Sequence, residues 1–198
     1  MYPDAAGGSP CLYFNPRGSL NHPGVRGLEE FQSPLSFLAR TVETRPAQIL
    51  LAMDWRGERE LTSLFDLAAA LRRRPELAAT PLVCILRDIH RGVLAGLARA
   101  AVEWVGLVVG PAFSPLPFLA GEEGLPPTCR PLEGVLAEVC PCLNHAAAGA
   151  GKEMAVCGGY GNRLVLGALR RRHFCHGPAH RQCPFFTGPS PVAPGAAF

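Results

Sequence analysis

Ile49-Leu50-Leu51-Ala52-Met53 is a continuous apolar run that stops at Asp54. Such a run suits a strand buried on both faces, because a half-buried strand alternates apolar with polar residues. The period then changes. Leu61, Leu64, Phe65, Ala68 and Leu71 recur at helical spacing. Arg72-Arg73-Arg74-Pro75 ends that helix, with cations at its negative end and proline as a breaker. Pro81-Leu82-Val83-Cys84-Ile85-Leu86 reads as the next strand. Val93, Leu94, Leu97, Ala98 and Ala101 form a second helical stripe, and Val105-Gly106-Leu107-Val108-Val109 a third strand. Upstream, Leu12-Tyr13-Phe14 reads as a strand and Leu35 to Val42 as a helix. Strands alternating with helices imply right-handed crossovers, hence an α/β fold with a parallel sheet covered by helices.

The pattern breaks after Gly110. Six prolines fall within residues 111–131, which predicts an extended connection rather than more sheet. A short helix from Leu132 to Val139 runs into a cysteine-dense part, where five of the eight cysteines lie. Charge divides at the same place. Residues 140–198 hold six cations against Glu153, a net of +5, so the overall +3 leaves −2 for residues 1–139. The expected organisation is a flexible tail over 1–10, an α/β domain over 11–111 and a Pro-rich linker over 112–131. A cysteine-rich metal-binding module over 132–186 and a disordered tail over 187–198 complete it.

The chain is 198 residues long and 48% hydrophobic, enough for a sizeable core and against wholesale disorder. Its small net charge does not mark a strong nucleic-acid binder. The best apolar run, Val93 to Gly110, is interrupted by Arg99 and Glu103, so no membrane span is expected. The first ten residues have neither the basic nor the apolar region of a signal peptide. The expected compartment is therefore a reducing cytoplasm, where clustered cysteines hold metal or do redox chemistry more often than they form disulfides.

Residues 36–111 resemble the receiver domain of bacterial response regulators. Arg45 to Asp54 is similar to the stretch leading to the phosphoacceptor strand. Leu71 to Val83 is similar to the link from third helix to fourth strand, and Val93 to Pro111 to the fourth helix, fifth strand and following proline. The resemblance implies a flavodoxin-like domain, shortened at its N-terminal half. Phosphotransfer in that family needs an acidic pair for Mg²⁺, a hydroxyl after the next strand and a lysine after the last, to stabilise the moving phosphoryl group. Here Cys11 to Arg17 carries no carboxylate, and no apolar run precedes the pair Glu29-Glu30. Leu86-Arg87 offers no hydroxyl, and Val109-Gly110 stands where the lysine would precede Pro111. Only Asp54 matches, and a strand-end or capping aspartate accounts for it. The expectation is a pseudo-receiver that docks a protein partner without phosphotransfer.

The cysteine pattern is Cys140-Pro-Cys142-x14-Cys157-x17-Cys175-x7-Cys183-Pro. Thiolates suit iron–sulfur clusters, zinc and Cu(I). Four complete an ordinary cluster, so one of these five is an alternative ligand or an outer neighbour. Proline after cysteine, at Pro141 and Pro184, recurs in ferredoxin-type sites. Gly158-Gly159 after Cys157 lets the backbone approach a bulky group. Leu143, Phe174, Phe185 and Phe186 can shield a cluster from water. The expected cofactor is an iron–sulfur cluster, [4Fe–4S] before [2Fe–2S], serving a redox sensor, electron carrier or accessory protein. No compact C-x2-C-x2-C run exists, so an ordinary ferredoxin is not implied. Zinc is the alternative, because His176 and His180 lie between Cys175 and Cys183; free or redox-active thiols are the remaining one.

Arg170-Arg171-Arg172 beside Cys175 reads as a solvated helix end or as a contact for an acidic partner or nucleic acid. Cys84 reads as a buried core residue, and His90 as a surface or capping residue at a strand-to-helix turn. Gly158-Gly-Tyr-Gly161 has neither nucleotide-loop spacing and reads as a turn. No catalytic constellation is recognisable.

Overall fold

The computed structural model describes residues 10–17, 27–108, 115–120, 124–148 and 153–188. Nearly all of the two expected tails, and the end of the third expected strand at Val109, lie outside these residues. The chain divides into two compact units, Met1–Asp88 with Gly96–Leu132 and Ile89–Ala95 with Glu133–Phe198.

The first unit is built on a six-stranded sheet. In chain order it contains β1 (Cys11–Phe14), β2 (Leu28–Phe31), α1 (Pro34–Thr44), β3 (Gln48–Ala52), α2 (Glu58–Arg72) and β4 (Leu82–Leu86). Helix α3 (Arg91–Arg99), β5 (Trp104–Leu107) and β6 (Cys129–Pro131) follow. The order is β2-β1-β3-β4-β5-β6. The first five strands are parallel and β6 is antiparallel to β5. An order of 2-1-3-4-5 is that of flavodoxin-like sheets. Strands β3 and β4 are buried at every position, as their unbroken apolar runs require.

One sheet face carries Tyr13, Leu50, Ala52, Val83 and Ile85, packed with Phe118 and Cys129. Phe118 reaches β5 because residue 106 is glycine; a Cβ there would meet its ring at 2.4 Å. Phe14 and Phe31 instead meet Phe37 of α1, with ring centroids 5.4 and 5.7 Å apart. Gly96 lets α3 approach Phe65 of α2, whose ring lies 2.3 Å from the missing Cβ. Arg72, its side chain 8% exposed, ends α2. It donates to the Leu77 and Thr80 carbonyls at 3.2 and 3.0 Å and pairs with Glu103.

Two features differ from the sequence expectation. Glu29 and Glu30 lie within β2, an edge strand that no apolar run announces. An edge strand with partly exposed side chains has no need of such a run. The Pro-rich stretch is also not only a connection, since its end forms β6. Pro131 is tolerated there because an edge strand can leave a position without a donor. Buried Gln48 fastens the residues before it. Its Nε2 donates to the Phe118 carbonyl at 2.8 Å, and its Oε1 accepts from the Ala120 N–H at 2.9 Å.

The second unit contains most of α4 (Leu132–Glu138) and a three-stranded antiparallel sheet of β7 (Leu143–Ala147), β8 (Glu153–Cys157) and β9 (Leu164–Val165). Short helical segments follow. These are α5 (Ala168–Arg170), which widens into a π-turn over Arg171–Cys175, a 3-10 turn over Pro178–Gln182, and α6 (Pro184–Thr187). The π-turn is closed by the His176 N–H donating to the Arg171 carbonyl at 2.9 Å.

Candidate functional site: a five-thiol pocket

The hairpin β7–β8 pairs Leu143 with Cys157, which sets Cys142 beside Gly158. The Gly158 N–H donates to the Cys142 carbonyl at 2.7 Å. Cys140 is held from the other side, its N–H donating to the Cys175 carbonyl at the end of the π-turn, 2.8 Å away. The Leu143 N–H closes a turn on the Cys140 carbonyl at 3.0 Å. Cys183 opens α6, its carbonyl accepting from Phe186 and Thr187. Backbone hydrogen bonds therefore gather cysteines spread over 44 residues of sequence, 140 to 183.

Cys140, Cys142, Cys157, Cys175 and Cys183 all line one pocket, together with Leu166, Arg170, Phe174, His180, Phe185 and Phe186. None of the five is in a disulfide. Cys140, Cys157 and Cys175 are buried, and Cys142 and Cys183 are partly exposed. Burial first, and then the Cys140, Cys157 and Cys183 thiols, push the Cys175 thiol up to about 11, while Arg170 opposes them. Burial also raises Cys140, against a backbone N–H of Cys142 that bonds its sulfur and pulls it down. These groups feel one another because they share one small volume. A bound cation inverts this logic by holding the sulfurs as thiolates and releasing their protons.

Gly159 matters to the shape. A Cβ at that position would lie 2.4 Å from the Phe185 carbonyl oxygen and 3.6 Å from the Cys142 sulfur. Only glycine lets this turn and the start of α6 close around the thiols. Arg170 lies over the Phe185 ring at 5.3 Å, and Tyr160 meets that ring at 5.4 Å in an edge-to-face contact.

Of the two histidines expected for a zinc site, His180 lines the pocket and His176 does not. His180 is buried, with Nδ1 bonded to the Gly177 carbonyl at 2.9 Å and its ring edge-to-face with Phe186 at 5.0 Å. Among the described residues, no three His, Cys, Asp or Glu side chains form a group arranged to hold a metal ion. Of the arginine run, Arg170 reaches the pocket, whereas Arg171 and Arg172 do not line it.

The remaining cysteines are separate. Cys84 is fully buried in β4, where desolvation holds it as a thiol. Cys11 is pushed up to about 12 and Cys129 to about 11 by the same cause.

At the carboxyl ends of the parallel strands, Asp54 Oδ2 lies 3.4 Å from Arg17 Nε and 3.6 Å from Arg87 Nη2. Two side-chain cations thus face the carboxylate that the receiver resemblance singles out. Glu29 is engaged by Arg40 through two bonds of 2.8 Å, and Glu30 accepts from buried Asn15 at 2.9 Å. Sequence reasoning did not find Arg17 and Arg87 as partners of Asp54, since 37 and 33 positions separate them.

His90 caps α3, its Nδ1 accepting the Val93 N–H at 3.2 Å. That bond places the ring proton on Nε2, which lies 3.3 Å from Glu153. The His90 ring stacks on His145 at 3.7 Å, an arrangement that no local motif announced. No protein-family model and no curated protein matches the chain. Among the described residues, no helix is long and apolar enough to cross a membrane.

Proposed function

We propose that the protein binds an iron–sulfur cluster in its second unit, with thiolates from four of Cys140, Cys142, Cys157, Cys175 and Cys183, and works as a redox sensor, electron carrier or accessory protein. The single observation that carries this reading is the convergence of those five cysteines on one pocket. Their chemistry fits, since thiolates are the ordinary ligands of such clusters. A glycine turn and an apolar rim surround them. The cluster would supply one-electron chemistry. The chain's own part is to hold it, with Leu166 and the phenylalanines excluding water.

A single zinc ion at about 2.3 Å from each sulfur brings its sulfurs to within about 4 Å of one another. A cluster spreads its ligands over separate irons. Thiols gathered on one pocket, with proline after Cys140 and Cys183 and an apolar rim, favour the second. Zinc stays as the alternative on one observation, that buried His180 shares the pocket and has its Nδ1 already engaged by a carbonyl. In that reading the module is structural, and Arg170, Arg171 and Arg172 contact nucleic acid or a protein partner.

The first unit fits a pseudo-receiver that serves as a docking domain. Arg17 and Arg87 pair with the carboxylate of Asp54, and no hydroxyl side chain occupies position 86 or 87, which supports a domain without phosphotransfer. A reducing cytoplasm goes with the same reading, since disulfides are rare there and clustered thiols stay available as ligands.

Anaerobic purification of the wild type and of five single Cys→Ser variants tests the proposal. Brown protein with broad visible absorbance and acid-labile sulfide is expected, with colour lost in the ligand variants. Colourless protein carrying one zinc per chain moves the assignment to the alternative.

A further inference from the structure

The pocket has an exposed rim of unusual composition. Phe174 and Phe186 line it and are 36% and 38% exposed, and Phe185 between them carries Arg170 and Tyr160. Leu169 and Val165, the sequence neighbours of the lining residues Arg170 and Leu166, are 74% and 59% exposed. Burying these side chains against a partner would remove apolar surface from water. Arg170 is exposed at the pocket itself, Arg163, Arg172 and Arg181 are exposed elsewhere on the segments from 163 to 181, and Glu153 is the sole acidic residue from 140 to 198. Aromatic residues with arginine are the side chains that dominate protein–protein hot spots.

We propose that this rim docks an acidic electron-transfer protein, which exchanges one electron with the cluster through the pocket mouth. The inference rests on the iron–sulfur reading. Charge complementarity selects an acidic partner, because exposed arginines with a single nearby carboxylate in the sequence steer a negative surface and repel a positive one. The apolar residues select a protein over nucleic acid. Val165 and Leu169 gain nothing from a phosphate backbone, and the Phe185 ring, on which a base would stack, already carries Arg170. The step is balanced without bond making. One electron leaves the reduced partner, which is oxidised, and enters the oxidised cluster, which is reduced. Cys142 and Cys183 are the partly exposed thiols of the pocket, so ligands on that side bring the electron path nearest to the surface.

The test uses iron-loaded full-length protein and a plant-type ferredoxin as the acidic one-electron probe. Binding is read by calorimetric titration at low and at high salt. The wild type is expected to bind, with affinity falling as salt rises. Arg172→Glu with Arg181→Glu, neither of which lines the pocket, is expected to weaken binding at least tenfold, and Leu169→Asp severalfold. Arg73→Glu, an exposed change in the first unit, leaves it unaltered. Iron content and visible spectrum of each variant confirm that the pocket is intact. Wild-type protein that holds iron yet ignores the ferredoxin, or binds single-stranded RNA instead through the same arginines, overturns the docking proposal. Wild-type protein without iron or sulfide overturns the cluster reading on which it rests.

Discussion

Cysteine is buried in both units, with opposite meaning. In the sheet unit Cys84 sits at the centre of a parallel strand, surrounded by aliphatic neighbours, with no other sulfur among the groups that shift it. In the second unit Cys175 is also buried, and its thiol is shifted by three other cysteines as well as by desolvation. The first is a small hydrophobe that fills a core. The second is part of a donor set. Burial alone does not separate these roles; the number of thiols facing one pocket does.

The difference predicts its largest effect on iron. Cys157→Ser or Cys175→Ser removes a ligand and is expected to cut bound iron at least tenfold. The second unit should then lose cooperative melting, because binding energy in such small modules is folding energy. Cys84→Ser should leave iron unchanged and cost about 1–3 kcal/mol, the penalty of a buried hydroxyl without a partner. Iron analysis and denaturant titration of the three variants make the comparison. If Cys84→Ser loses iron as completely as Cys175→Ser, the two kinds of cysteine are not distinct.

Packing in the sheet unit is tested by Leu51→Ala, which opens a cavity in the fully buried β3 and is expected to cost about 2–5 kcal/mol. Gly159→Ala tests the closure of the pocket. Its new Cβ must displace a backbone carbonyl, so a loss of about 1–3 kcal/mol from the second unit is expected, with lower iron occupancy. Denaturant midpoints and iron content report both.

A smaller effect concerns alkaline pH in the sheet unit. Burial raises Cys129 from 9.0 to about 11 and Cys11 from 9.0 to about 12. A raised folded value means that the protonated thiol is favoured by folding. The associated stability is therefore complete below about pH 9 and declines as pH climbs through 11. Cys129→Ala should flatten part of that decline, measurable by urea unfolding from pH 8 to 11. The smallest expected effect is that of Asp54→Asn, which loses ion pairs to Arg17 and Arg87. These are partly solvated, and about 0–1 kcal/mol is expected. Incubation with acetyl phosphate and magnesium should label neither form.

The central strands were legible because burial on both faces leaves no choice of pattern. Ile49 to Met53 and Leu82 to Leu86 are apolar throughout, and β3 and β4 occupy Gln48–Ala52 and Leu82–Leu86. The helices α1, α2 and α3 followed from their stripes. Edges were not legible. Leu28-Glu-Glu-Phe31 carries a charge at each of its two middle positions, and Cys129-Arg-Pro131 ends in a proline, so neither resembles a core strand. The five site cysteines could be named from their density, but spacing does not encode which backbone bonds assemble them. The Cys140–Cys175 link and the π-turn before it depend on tertiary contacts. Arg17 and Arg87 escaped for the same reason, since their meeting at Asp54 is a product of parallel strand order and not of local sequence.

The central claim is that the five-thiol pocket exists to hold iron and sulfide. Its most direct measurement is iron, acid-labile sulfide and zinc per chain in full-length protein purified without oxygen, read beside the thermal melting of that same sample before and after chelation. The account predicts about four irons and four sulfides, a brown colour, and loss of the second unit's transition on removal. Protein that contains no iron and still melts with an unchanged second transition would contradict it.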